Sequence, residues 1–115
     1  MPQMDPQLKQ VLLEAVDEGL LILGESSRRA IYFHIQEMCS LTREEIPNKP
    51  DVLASGLKKI FGAGSKVIEK SIVESLYRKF GIKYEEKKNC SFLHYLDHAM
   101  EIIQKKHPKD PIEYV

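Results

Sequence analysis

The stretch Leu57-Lys58-Lys59-Ile60-Phe61-Gly62-Ala63-Gly64-Ser65-Lys66-Val67-Ile68-Glu69 joins two helix-period apolar patterns at a pair of glycines. Gly62 can take the positive φ that closes one helix, and Gly64 and Ser65 can free and cap the start of the next. Helices joined through so few residues cannot separate, so their apolar stripes must share one core or present one common surface. The constraint concerns fold and carries no chemistry.

Around this joint the sequence reads as an all-α, single-domain bundle of about five helices, with the tight Gly-x-Gly turn between the third and fourth. Asp5-Pro6 is a helix start, and Leu8, Val11, Leu12, Ala15, Val16 and Leu23 form one stripe at three- and four-residue spacing. Leu13, Leu20, Leu21 and Ile22 fall outside that stripe, so this helix is either central or covered by another subunit. A second helix spans Ser26 to Cys39, with Ala30, Ile31, His34, Ile35 and Met38 on one face and Tyr32 and Phe33 pointing elsewhere. Thr42-Arg43-Glu44-Glu45 has the hydroxyl and carboxyl of a capping box, opening a short turn that Ile46-Pro47 stops.

Asp51 caps a third main helix through Phe61, packed by Leu53, Leu57, Ile60 and Phe61. Val67, Ile68, Ile72, Leu76 and Phe80 stripe a fourth, which Gly81 ends. The polar run Ile82 to Asn89 reads as a mobile connection. Ser91 or Asn89 opens a fifth helix lined by Phe92, Leu96, Ala99 and Ile103, and Pro108 and Pro111 close it before a disorder-prone tail, 107–115.

At 115 residues the chain has the length of one domain, 1–115, able to bury roughly two thirds of its extended surface. Its longest apolar run, Gly19 to Gly24, is far below the roughly 18 residues that a membrane span needs, and no basic leader precedes it. A cytoplasmic protein with no membrane partner is the expectation. Cys39 and Cys90 stand in no paired motif and read as two reduced thiols. Up to Leu57 there are five basic and nine acidic residues, and beyond it twelve and eight, so the halves carry about −4 and about +4. Such a dipole favours a partner of opposite sign, including a second copy of the chain.

Chemistry is sparsely signalled. Cys90, His94 and His98 fall at i, i+4 and i+8 on the fifth helix, and two histidines one turn apart can share a metal. A zinc site needs three or four ligands, so His34 or His107 would have to complete it, and a packed or solvated histidine pair is the simpler reading. Gly62 to Lys66 lacks the strand and the pattern of a phosphate-binding loop. No strand-turn-helix elbow activates a nucleophile. The expectation is therefore no enzyme and no cofactor. A duplex-binding regulator using the helix-turn-helix-like pair Asp51 to Phe80, with Lys66, Lys70, Arg78 and Lys79 facing phosphate, is the alternative. Against it stand zero net charge and the acidic Glu69 and Glu74 on the recognition helix.

Leu20 to Glu25, Ile31-Tyr32-Phe33-His34, Leu41 to Pro47 and Ile60 to Gly64 occur in that order. Over roughly Val11 to Phe80 they resemble a family of small archaeal helical domains catalogued as the Nitrosopumilus output domain. The resemblance implies an all-helical archaeal module at the effector end of a signalling chain and carries over no catalytic or ligand-binding residue. With the surplus apolar side chains it points to a non-enzymatic interaction or signal-output module, a homodimer or a binder of another protein. The candidate surface is Leu13, Leu20, Leu21, Ile22, Tyr32 and Phe33.

Overall fold

The computed structural model describes residues 6–106 as five α-helices: α1 Pro6–Leu21, α2 Glu25–Cys39, α3 Pro50–Phe61, α4 Ser65–Phe80 and α5 Phe92–Lys106. Two 3-10 helices, Arg43–Asn48 and Gly62–Gly64, lie before and after α3, and no strand occurs among the described residues. The expected cap at Asp5 and the tail at 107–115 lie outside the described residues. One hydrophobic cluster draws side chains from all five helices, so the chain folds as the expected all-α bundle. No helix among the described residues is long and apolar enough to cross a membrane.

The most extensive packing is between α1 and α4. Leu12, Leu13, Ala15, Val16, Gly19 and Leu20 are buried on α1, and Ile68, Ile72, Val73, Leu76 and Tyr77 on α4. At the crossing, a Cβ added to Gly19 would stand 2.4 Å from Ile72 Cγ1 and 2.8 Å from the Ile72 backbone. Only a residue without a side chain allows so close an approach. On its other side α1 packs against α2 and the first 3-10 helix. This two-sided burial explains the broad apolar arc of α1 and corrects the surface assignment of two leucines. Leu13 and Leu20 are core residues, the latter fully enclosed, whereas Leu23, placed in the buried stripe by its spacing, lies past the helix end and is exposed.

Other faces also differ from their sequence reading. On α2 only Ile31 and Ile35 are buried, because that helix packs mainly on α1 and α3; Ala30, His34 and Met38 face outward. Val67 is exposed and Tyr77 buried, an exchange that moves the inner stripe of α4 onto Val73 and Tyr77. Asp51 sits in the first turn of α3, whose N1 position is Pro50. The 3-10 helix continues through Pro47 to Asn48 instead of stopping there. At the glycine joint Gly62 does take positive φ (59°), while Gly64 is ordinarily helical and Ser65 is a buried first residue of α4, whose N-cap position Gly64 holds. On α5 the expected line Phe92, Leu96, Ala99 and Ile103 is buried.

Polar ties fix the register of these helices. The Asp17 carboxylate on α1 accepts from the Tyr32 hydroxyl on α2 and from both Nε (3.0 Å) and Nη2 of Arg43, joining three elements at one group. Glu18 accepts from the Ser75 hydroxyl and pairs with Lys79, each at 2.6 Å, tying α1 to α4. In the first 3-10 helix the Glu45 carboxylate accepts from the Thr42 N–H (2.9 Å) and hydroxyl (3.0 Å), as the capping-box spacing requires.

Burial pushes the Asp17 carboxyl upward, but the hydrogen bonds from Arg43 and Tyr32 outweigh it and hold the group below its ordinary 3.8. A depressed carboxyl contributes its stabilisation above the unfolded-state value and loses it as pH falls through the folded-state value. Asp17→Asn is therefore expected to cost about 1–2 kcal/mol in urea unfolding at neutral pH, a value discounted for the partial exposure of both partners. The difference between wild type and variant should shrink as the pH is taken below 3.8. A gap that stays constant into acid would remove Asp17 from this role.

Candidate functional site

The sequence-nominated surface divides in two. Leu21, Ile22 and Leu23 remain 46%, 57% and 37% exposed at the end of α1 and the turn into α2, and Phe33 on the outward side of α2 is 62% exposed. Tyr32 is half-buried because its hydroxyl is committed to Asp17; burial and that carboxylate push its pKa up, so it stays neutral. With Met38 further along α2, five large apolar side chains thus stand in water on a single helical hairpin. Isolated exposed leucines are ordinary, but three in succession are not.

The nucleic-acid candidates are largely engaged with carboxylates. Lys79 pairs with Glu18 at 2.6 Å and approaches Glu14 at 3.7 Å, Arg78 approaches Glu18 at 3.8 Å, and Lys70 pairs with Glu86 at 2.8 Å. Of the four, only Lys66 has no ion pair among the described residues. The acidic excess of α1 is answered by the basic end of α4 within one molecule, so the segregated charge of the two halves is partly used up by folding.

Cys90, His94 and His98 are not brought together as ligands. His94 turns back on the start of its own helix: its Nδ1 lies 3.3 Å from the Ser91 N–H, while its own N–H donates to Ser91 Oγ at 3.2 Å. This reciprocal arrangement caps α5, confirming Ser91 as its opener. His98 stacks on Tyr77 with ring centroids 6.5 Å apart. Among the described residues no group of three potential ligands surrounds a metal-sized position.

A feature that the sequence reading did not find lies where residues 82–91 arch from α4 to α5. The Tyr95 hydroxyl accepts from the Lys87 N–H at 2.8 Å and donates to the Lys87 carbonyl at 3.2 Å, and the Tyr77 hydroxyl donates to the Tyr95 carbonyl at 2.9 Å. Tyr84 drops from the arch onto both rings, its centroid 5.7 Å from that of Tyr77 and 5.6 Å from that of Tyr95. Burial pushes the Tyr77 and Tyr84 phenols up to about 12, which keeps them protonated. The connection expected to be mobile is thus anchored at Tyr84, Glu86 and Lys87. An aromatic residue inside an otherwise polar loop was the available signal.

Between this arch, α3 and α4 opens a cleft of about 610 Å³, and a second of about 380 Å³ adjoins it past Cys90 and Tyr95. The larger has Val73, Phe92 and Leu93 among its apolar walls and Lys66, Glu69 and Lys87 among its charged ones. Burial raises the Glu69 carboxyl above its ordinary value, with Lys66 and Lys58 only partly opposing the shift. Glu69 accepts no hydrogen bond and forms no ion pair among the described residues.

No family model matches the sequence, and neither a curated protein nor a solved structure gives a significant match.

Removing the Tyr95 hydroxyl should loosen the arch without unfolding the bundle. In Tyr95→Phe, amide exchange at Lys87 is expected to accelerate by about fivefold to tenfold, the worth of one ordinary hydrogen bond. Exchange in the interior of α1 should change far less. Equal acceleration in both places would show that the arch is part of the global fold.

Proposed function

We propose that this chain is a non-enzymatic protein-interaction module of the signal-output kind, acting in the cytoplasm and pairing with a second copy of itself through the α1–α2 hairpin. The observation that carries the reading is the unbroken exposed run Leu21-Ile22-Leu23, with Phe33 on the following helix. Covering such side chains releases about 25 cal/mol per Å² of apolar surface, and a like-with-like interface needs no second gene product. Because α2 packs mainly on α1 and α3, its outward side, with Phe33 exposed, is open to a partner. The resemblance to the archaeal output family supplies the signalling half of the reading.

The alternative, a duplex-binding regulator using α3 and α4, draws less support. Binding through phosphates needs cations free to displace counterions, and Lys70, Arg78 and Lys79 each already face a carboxylate.

Sedimentation equilibrium across a micromolar to sub-millimolar series tests the proposal. Wild type is expected to shift from monomer toward dimer as concentration rises, and Ile22→Ser with Phe33→Ser to remain monomeric. Because both side chains are mostly in water, the melting temperature of the variant monomer should stay close to that of wild type. A wild-type chain that is monomeric throughout would overturn self-association.

A further inference from the structure

We propose that the larger cleft binds a small zwitterion of the amino-acid type with an apolar side group, its ammonium on Glu69, its carboxylate toward Lys66 and Lys87, and its side group on Tyr84 and Leu93. The site is distinct from the α1–α2 hairpin, so it stands or falls independently of self-association. Its volume of about 610 Å³ lies within the roughly 300–1,000 Å³ typical of small-molecule clefts.

The charges choose the ligand. Glu69 is half-buried and unpaired among the described residues, and its carboxylate still opens to the cleft, where a cationic group can meet it. Lys66 and Lys87 border the same space and likewise form no ion pair among the described residues, whereas neighbouring Lys70 is occupied by Glu86. A purely anionic molecule would meet Glu69, and a purely cationic one would meet two lysines. A molecule carrying both charges close together answers all three groups. Val73 and Phe92 are almost wholly buried behind the cleft and support its wall, while the half-buried Tyr84 and Leu93 give the apolar surface against which a side group can leave water.

The arch makes the cleft a formed site. Lys87 is held through its backbone by the Tyr95 hydroxyl, and Phe92 and Leu93 belong to the first turn of α5, which Ser91 and His94 cap. These supports fix the wall on which the ligand's side group rests.

Calorimetric titration of the full chain with L-phenylalanine tests the assignment, with phenethylamine and 3-phenylpropionate as probes that lack the carboxylate and the ammonium. Saturable binding of phenylalanine is expected, with both analogues weaker by about tenfold or more, the loss of one charge-assisted contact. Glu69→Gln should weaken phenylalanine by a similar factor and leave phenylpropionate unharmed. Lys66→Gln, at an exposed position that does not endanger folding, should weaken phenylalanine and phenylpropionate together. Three results would each overturn the proposal: no saturable binding of phenylalanine in the millimolar range, phenylpropionate binding as tightly as phenylalanine, or Lys66→Gln binding like wild type.

Discussion

Everything in this bundle is arranged around the contact of α1 with α4, and that contact depends on a missing side chain. Gly19 lets Ile72 come so near that even one added carbon would overlap its side chain and press on its backbone. With the helices this close, Ala15, Val16 and Leu20 on α1 and Ile68, Ile72 and Leu76 on α4 are all sealed from water. Position on α4 then follows for the rest: α3 is bound to it through the glycine joint, and α5 returns to it beneath the arch. Glu18 with Ser75 and Lys79 prevents the two helices from sliding, and Asp17 with Tyr32 and Arg43 ties α1 to α2 and to the first 3-10 helix.

The distribution of charge acquires its meaning from this arrangement. Acidic residues of α1 and basic residues of α4, far apart in sequence, become neighbours, and much of the apparent dipole is discharged inside the molecule. Surface pairs of this sort contribute little each, but they occupy Lys70, Arg78 and Lys79, three of the four cations that the duplex-binding reading needs. The charges left over are therefore informative. Glu69, Lys66 and Lys87 gather at one cleft, while the apolar surplus gathers at the turn of a helical hairpin. One molecule thus presents two surfaces with different physics, a charged cleft and an exposed apolar run.

Helix number, order and most boundaries were legible because the apolar spacing, Gly62, Gly81 and the Thr42-to-Glu45 capping box are local signals. Facing was harder. Periodicity treats each helix as having one buried side, and α1 has two, so Leu13 and Leu20 read as surplus when they are core. On α2 the same logic overestimated burial, since Ala30 and Met38 share a stripe with Ile31 and Ile35 but lie beyond the reach of α1 and α3. Gly19 carried no local mark, because a close helix approach depends on what stands opposite. The cleft was invisible for a related reason: its walls come from residues 54 to 95, and the tyrosine anchors that shape it meet only in three dimensions.

The most direct measurement of the central contact is the equilibrium unfolding of Gly19→Ala in urea. In an ordinary helix interior this change raises stability by about 1 kcal/mol, since alanine is the better helix former. Here the new methyl must force α1 from α4, and a loss of about 1–3 kcal/mol is expected, as for other overpacked cores. A variant as stable as wild type, or more stable, would contradict the claim that this close approach organises the fold.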